Sequence, residues 1–303
     1  MTKMSTSKAT ISNAPRHAQH SEAWRSYLAM LRAATVAWSA HRASSMGASL
    51  AFYASFSLAP MFVIVIAVAG MVFGEDAARG EVVEQLRDLI GPSGAVAVQG
   101  LIEGARHIGQ GFVASLIALA ALLLAATKAF AELKDSLDVI WGSERTTSST
   151  LLNLVRGRIL SFGLILTLGF LLLVSLLISA ALSALQKYWG AWFSDIAWIT
   201  EGINSLVSFL VVTSLFAIIY KWLPDASIAW RDVGVGALVT ASLFTLGKFL
   251  IGLYLGNSAT ASSFGAAGSL VVILLWVYYS SQIFFFGAEF TRVYAERRGS
   301  RSA

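Results

Sequence analysis

The chain of 303 residues contains no cysteine and only four prolines and four histidines. The missing cysteine excludes disulfides, thiolate metal sites and cysteine nucleophiles. The sequence also lacks the histidine pairs of zinc enzymes, the glycine-rich loop that holds ATP phosphates and the GxSxG turn of serine hydrolases. We therefore expect no catalysis, no metal site and no cofactor. The histidines are His17, His20, His41 and His107.

Charge is scarce as well, because only 13% of the residues are charged while 56% are apolar. Soluble domains carry about 25% charged residues. The mean hydropathy of +0.70 therefore indicates that much of the apolar surface faces lipid. The sequence predicts an all-α polytopic membrane protein that interacts with membrane lipids.

Six apolar runs are long enough to cross a bilayer, which takes about 20 residues. Together they predict six transmembrane helices. The runs are Met46–Phe73, Gly111–Thr127 with a helical extension toward Val139, Ile159–Leu185, Ile203–Tyr220, Val233–Leu255 and Gly268–Phe290.

Lysine and arginine residues orient these spans, because cytoplasmic connections are enriched in them. With both termini in the cytoplasm, the cytoplasmic segments hold 17 of these residues and the outer segments hold four. The distribution predicts that the N- and C-termini both face the cytoplasm. The basic pI of about 9.6 follows from this bias, so we expect no nucleic-acid partner.

The predicted domain organisation has four parts. Residues 1–22 form a disordered cytoplasmic tail, 23–42 an amphipathic helix, 43–292 the six-helix membrane domain and 293–303 a basic cytoplasmic tail. Within the membrane domain, residues 74–110 form an extracytoplasmic cap of two short helices. An apolar stripe on the amphipathic helix favours the membrane interface, although packing on cytoplasmic loops explains it equally well. The stripe comprises Trp24, Leu28, Leu31, Thr35 and Trp38.

The first span combines small residues with a proline and so predicts a special contact. Gly47 and Ala51 begin a four-residue repeat that lets another helix approach closely. Pro60 releases a backbone hydrogen bond in the membrane, which is typical of helices that line a cavity. Plain packing with a kink is the alternative. The candidate pathway residues of this span are Tyr53, Ser55, Ser57 and Pro60, and Gly265 and Gly268 give the sixth span a similarly tight start.

Polar residues within the membrane are costly, so each is a candidate functional group. Tyr278, Gln282 and Glu289 share one face of the sixth span and complete the predicted pathway. Glu289 alternatively reaches interfacial water or pairs with Arg292. Lys248, in the fifth span, binds substrate or extends toward the outer surface, and its depth argues against pairing with Glu289.

Three sequence blocks resemble the BrkB/YihY family of bacterial inner-membrane proteins. They are GASLAFYASFSLAP at 47–60, Leu223-Pro224 followed by Trp230 and Gly236-Ala237, and LLWVYYS at 274–280 continuing to Gly287-Ala-Glu289. The resemblance implies a six-span envelope protein, with one branch linked to virulence through serum resistance. An older ribonuclease label of the family finds no metal or general-base cluster here. Ser263-Phe264 departs from the Ile-Tyr pair expected before the sixth span.

Two functions compete on this sequence. The first is a transporter or lipid-translocating permease for an unknown solute or lipid, with a pathway between the first and sixth spans. The second is a non-transporting envelope scaffold or assembly factor whose outer loop binds partners. A homo-oligomer is compatible with either, because the small-residue face permits close helix contacts.

Overall fold

A computed structural model describes residues 16–57, 80, 95–96, 98–100, 112–143, 197–257 and 268–301. Every regular element in these ranges is an α-helix, which confirms the predicted all-α class for the described part of the chain. The longer helices are α1 (Arg16–Ala40), α2 (43–57), α3 (Phe112–Trp141), α4 (Ala197–Trp222), α5 (Trp230–Asn257) and α6 (Gly268–Arg297).

Helices α4, α5 and α6 are each long and apolar enough to cross a membrane. They correspond to the predicted fourth, fifth and sixth spans. Helix α3 contains the predicted second span and, as predicted, continues as a charged helix to Trp141, where Gly142 has a φ of 62° and ends it. The first span is helical over 43–57, whereas the third span and most of the 74–110 loop lie outside the described residues.

Helices α5 and α6 pack antiparallel through glycines that admit a neighbouring side chain. An added Cβ on Gly236 would lie 2.7 Å from the Cβ of Thr291, and one on Gly287 would lie 2.8 Å from the Cβ of Thr240. Farther along, an added Cβ on Gly247 would lie 3.0 Å from the ring of Tyr279. These positions leave no room for a methyl group, so the two backbones approach closely.

The largest buried cluster joins side chains from α2 to α6, with Tyr220 of α4 fully buried inside it. The Tyr220 hydroxyl donates a hydrogen bond to the Phe284 carbonyl at 2.7 Å. Its ring stacks on Phe216 with centroids 6.3 Å apart. A buried phenol needs such a partner, and here it ties α4 to α6.

Helix α1 packs against α6 through a face that the sequence pattern did not identify. Met30 and Ala34 are buried against Phe290 and Val293. Leu28, which belongs to the predicted stripe, is 62% exposed. The predicted stripe does not lie on one side of the helix, because Trp38, which also belongs to it, packs against the largest buried cluster. The helix begins at Arg16, upstream of the start predicted at 23.

The C-terminal residues fold back onto the bundle. Helix α6 continues to Arg297, and the backbone and hydroxyl of Ser300 then donate to buried Asp232 at 3.0 and 2.7 Å. Arg301 donates to the Ser227 carbonyl at 3.0 Å and lies over the Trp141 ring. The C-terminal ends of α3, α4 and α6 and the start of α5 thus meet at one end of the bundle.

Candidate functional site

The predicted pathway helices α2 and α6 touch at Gly47. An added Cβ on this glycine would lie 3.2 Å from Cδ of Gln282 and 3.4 Å from Cβ of Ser281. The other small residues of the stripe face the protein too, since Ala51 and Ser55 are buried. The structure therefore brings the small-residue face of the first span against the polar face of the sixth.

Two polar side chains, one on α6 at this contact and one farther along α2, have buried atoms with unused hydrogen-bonding capacity. Neither amide atom of Gln282 has a hydrogen-bond partner in the part of the chain that the structure describes, and the same holds for Oγ of Ser55, which is 2% exposed. Leaving such a group unsatisfied costs about 1–3 kcal/mol. The hydroxyls of Ser57 and Ser281 differ, because each donates to a carbonyl of its own helix. The contact therefore offers the Gln282 amide to a ligand or water, and the Ser55 hydroxyl is available about 12 Å farther along α2.

The remaining predicted pathway residues lie less centrally. Tyr278 is 36% exposed, and the half-buried Tyr53 packs edge-on against the Phe52 ring. Gly268 is buried at the start of α6. The predicted residues Pro60 and Gly265 lie outside the described residues.

Glu289 is the most enclosed charged residue of α6, with none of its side chain exposed. Its Oε1 is hydrogen-bonded to Nδ1 of His41, and its Oε2 accepts a bond of 3.3 Å from Nε of Arg292. The Arg292 contact was one of the alternatives drawn from the sequence. His41 was missed, because the sequence placed it only on the cytoplasmic side; its one signal was its position just before the first span.

Lys248 lies far from this carboxylate. The adjacent Gly247 packs at the level of Tyr279 and Ile283 of α6. Glu289 lies six residues beyond Ile283, about 9 Å along the helix at 1.5 Å per residue. The structure therefore keeps the two intramembrane charges apart, as their predicted depths require.

A second polar cluster ties α3 to the turn after α4 at the end where the C-terminus folds back. Lys134 bridges Asp138 at 2.5 Å and Asp225 at 2.6 Å, and the Asp225 amide donates to Asp138 at 2.7 Å. Partial burial alone would lower the pKa of Lys134, but the hydrogen bonds and charges of the two carboxylates outweigh it and raise the pKa overall. The cluster is a structural clamp outside the predicted pathway.

Comparison with known proteins finds a family that matches most of this chain. The family described as "Virulence factor BrkB" matches residues 34–303. A UPF0761 membrane protein of Verminephrobacter eiseniae is 28% identical over 263 residues, which cover 82% of this chain and 59% of the relative. Another from Psychromonas ingrahamii is 30% identical, over 66% of this chain and 63% of the relative.

The UPF0761 membrane protein YihY of Salmonella typhimurium is 32% identical over 173 residues, which are 55% of each chain. The chain thus spans about 55–63% of the length of these three relatives. No solved structure matches it. The family match includes α2 to α6 and both candidate polar sites, so the resemblance drawn from the sequence is confirmed: this chain belongs to the BrkB family of membrane proteins.

Proposed function

We propose that the protein is a transporter or lipid-translocating permease of the bacterial inner membrane, with its pathway between α2 and α6. The observation that carries the proposal is the Gln282 amide, buried beside Gly47 without a partner among the described residues. Burying a polar group at membrane depth costs free energy, so such a group is by default a candidate functional group. A substrate or water that entered this contact would satisfy the Gln282 amide.

Access to these groups requires movement. The Gln282 amide atoms are buried in the described conformation, so a substrate reaches them only when α2 and α6 separate. The close approach at Gly47 defines the closed arrangement of this helix pair. Opening and closing of one helix pair around a polar site is the kind of change that alternating access needs.

The proposed topology has six spans and cytoplasmic termini. The ends of α3 and α4 meet at the same end of the bundle, so Ser143 and Ala197 lie at opposite ends. A chain that joins them has to run the length of the bundle, which supports a third span between α3 and α4. The basic residues Lys134, Lys221 and Arg301 near the shared end support its assignment to the cytoplasm.

Single cysteines test this topology without background, since the chain has none of its own. In cells, Asp195→Cys should react with a membrane-impermeant maleimide, whereas Ser148→Cys should react only after the membrane is permeabilised. The reverse pattern would refute the proposed orientation.

Reconstitution in liposomes tests the pathway. The assay measures scrambling of fluorescent lipids and ion-driven uptake of a panel of solutes. Gln282→Met and Glu289→Gln should both lose activity. Gln282→Met should fold at least as stably as the wild type, because removing an unsatisfied polar group is neutral or stabilising. Thr213→Val is the matched control, since its hydroxyl only donates to Phe209 of its own helix.

Full activity of both Gln282→Met and Glu289→Gln would refute the proposed pathway between α2 and α6. The scaffold interpretation makes the opposite prediction: both substitutions are tolerated in cells, and replacing the loop 74–110 abolishes function. The two classes are therefore separated by one set of variants.

A further inference from the structure

The junction between α1 and α2 places a histidine against the buried carboxylate of α6. Residues 41–42 form the turn between the two helices, and Arg42 has a φ of 54°, which is rare for a residue with a side chain. His41 thus sits in the turn from which α2 starts, and its Nδ1 bonds to Glu289. The bond ties this turn to α6.

The pair has one accessible proton-binding atom. In a neutral or a charged imidazole, Nδ1 can carry the proton that it shares with Glu289, so charging the ring means adding a proton at Nε2. The His41 side chain is 29% exposed, whereas Glu289 is fully enclosed. A proton from cytoplasmic water therefore reaches the histidine first, and the net charge of His41, Glu289 and Arg292 rises from zero to one.

Other charged groups around the pair are already engaged or face water. Arg292 also donates to Glu296 at 3.2 Å on α6, and Arg42 is exposed in the turn. On α1, Tyr27 and Arg32 are exposed. The buried titratable groups on α3, α4 and α5 in the described part of the chain have partners of their own: Asp138 with Lys134, Tyr220 with Phe284, and Asp232 with Ser300. The cationic Arg292 beside it also makes Glu289 a poor ligand for a metal cation.

We propose that His41 and Glu289 form a proton-binding site that couples proton uptake from the cytoplasmic side to the contact between α2 and α6. The proposal rests on the proposed transport function and names the coupling ion. Gln282 and Glu289 are seven residues apart on α6, so the contact with Gly47 of α2 and the bond with His41 in the turn before it lie about 10 Å apart. Protonation gives the ring a full positive charge opposite the Glu289 carboxylate and turns the hydrogen bond into an ion pair, which holds the turn and α2 more tightly against α6. Loss of the proton weakens that bond and favours opening.

Cysteine reactivity measures the opening directly. The rate at which Ser55→Cys is labelled, divided by the rate for Ser227→Cys in the exposed turn, cancels the effect of pH on thiol ionisation. In nanodiscs this ratio should be about fivefold higher at pH 8 than at pH 5.5, which is the change that the added attraction of one partly exposed ion pair produces.

Three variants in the same background locate the site. With His41→Gln the ratio should stay high at both pH values, and with His41→Lys it should stay low, because lysine keeps its charge over this range. A misfolded protein would not give the low value. His17→Gln is the control and should keep the wild-type dependence.

A wild-type ratio that does not change with pH would overturn the proposal. So would a dependence on pH that survives in both His41 variants. The liposome assay keeps the two proposals apart. Transport that is active but independent of pH would refute the proton site and leave the transport function. Labelling that depends on pH in a protein without transport would support the proton site and refute the transport function.

Discussion

Replacing Gly287 with alanine should destabilise the bundle strongly, because three helices meet at this position. The added methyl group would lie 2.7 Å from the Tyr220 hydroxyl and 2.8 Å from the Thr240 Cβ, well inside the 3.4 Å at which ordinary contacts begin. Neither neighbour can turn away without loss. Tyr220 donates to the Phe284 carbonyl, and Thr240 donates to the Gly236 carbonyl, both at 2.7 Å.

The magnitude follows from these two costs. Overpacking a dense core costs about 1–3 kcal/mol, and a lost buried hydrogen bond costs about 1 kcal/mol more. We expect a loss of about 2–4 kcal/mol in the free energy of unfolding, measured by circular dichroism in mixed detergent and SDS micelles. The control is Gly252→Ala on α5, where an added methyl group meets nothing within 4 Å.

Equal stability of Gly287→Ala and Gly252→Ala would refute the packing of α4, α5 and α6 described above. A double variant sharpens the test, because Thr240→Ala removes the Thr240 hydroxyl, the atom nearest to the added methyl group. If the two groups collide, the double variant should lose clearly less stability than the sum of the losses of Thr240→Ala and Gly287→Ala.

Two further predictions concern the polar contacts at the end of the bundle where the C-terminus folds back. Lys134→Met should remove a stabilising contribution that is fully present below about pH 10.5 and fades at higher pH, because the pKa of Lys134 is raised in the fold. Unfolding measured between pH 7 and 11.5 should therefore differ between variant and wild type most at the neutral end. Ser300→Ala should cost about 1.5–3 kcal/mol by removing a hydrogen bond to the buried carboxylate of Asp232, whereas Ser227→Ala should change thermal stability little.

Hydrophobic run length predicted much of the bundle correctly. The fourth run, Ile203–Tyr220, lies within α4 (Ala197–Trp222), and the sixth, Gly268–Phe290, begins at the first residue of α6. Bilayer thickness sets these lengths, so a count of apolar residues is enough to find them. The ends outside the bilayer are less constrained, and α6 accordingly continues to Arg297.

The same reasoning does not predict which side chains of different helices contact each other. His41 and Glu289 are 248 positions apart, and no periodicity within either helix relates them. The stripe on α1 shows a related limit, because hydrophobic spacing does not tell lipid from protein. Met30 and Ala34 pack on α6, while Leu28 is exposed. The close approach at Gly47 was accessible to sequence because small residues are themselves the signal.

Buried polar side chains in this bundle differ in whether their hydrogen bonds are made within their own helix. The hydroxyls of Thr240, Ser281 and Thr291 each donate to the carbonyl four residues earlier in their own helix. Such residues are polar at little cost. An amide has two donors and an acceptor, and its own helix offers no comparable solution. If position 282 served only to let α2 pack closely, serine or an apolar residue would do so more stably. The proposed pathway accounts for Gln282 through a substrate that binds it when α2 and α6 separate, and Gln282→Met, stable but inactive, is the outcome that this proposal requires.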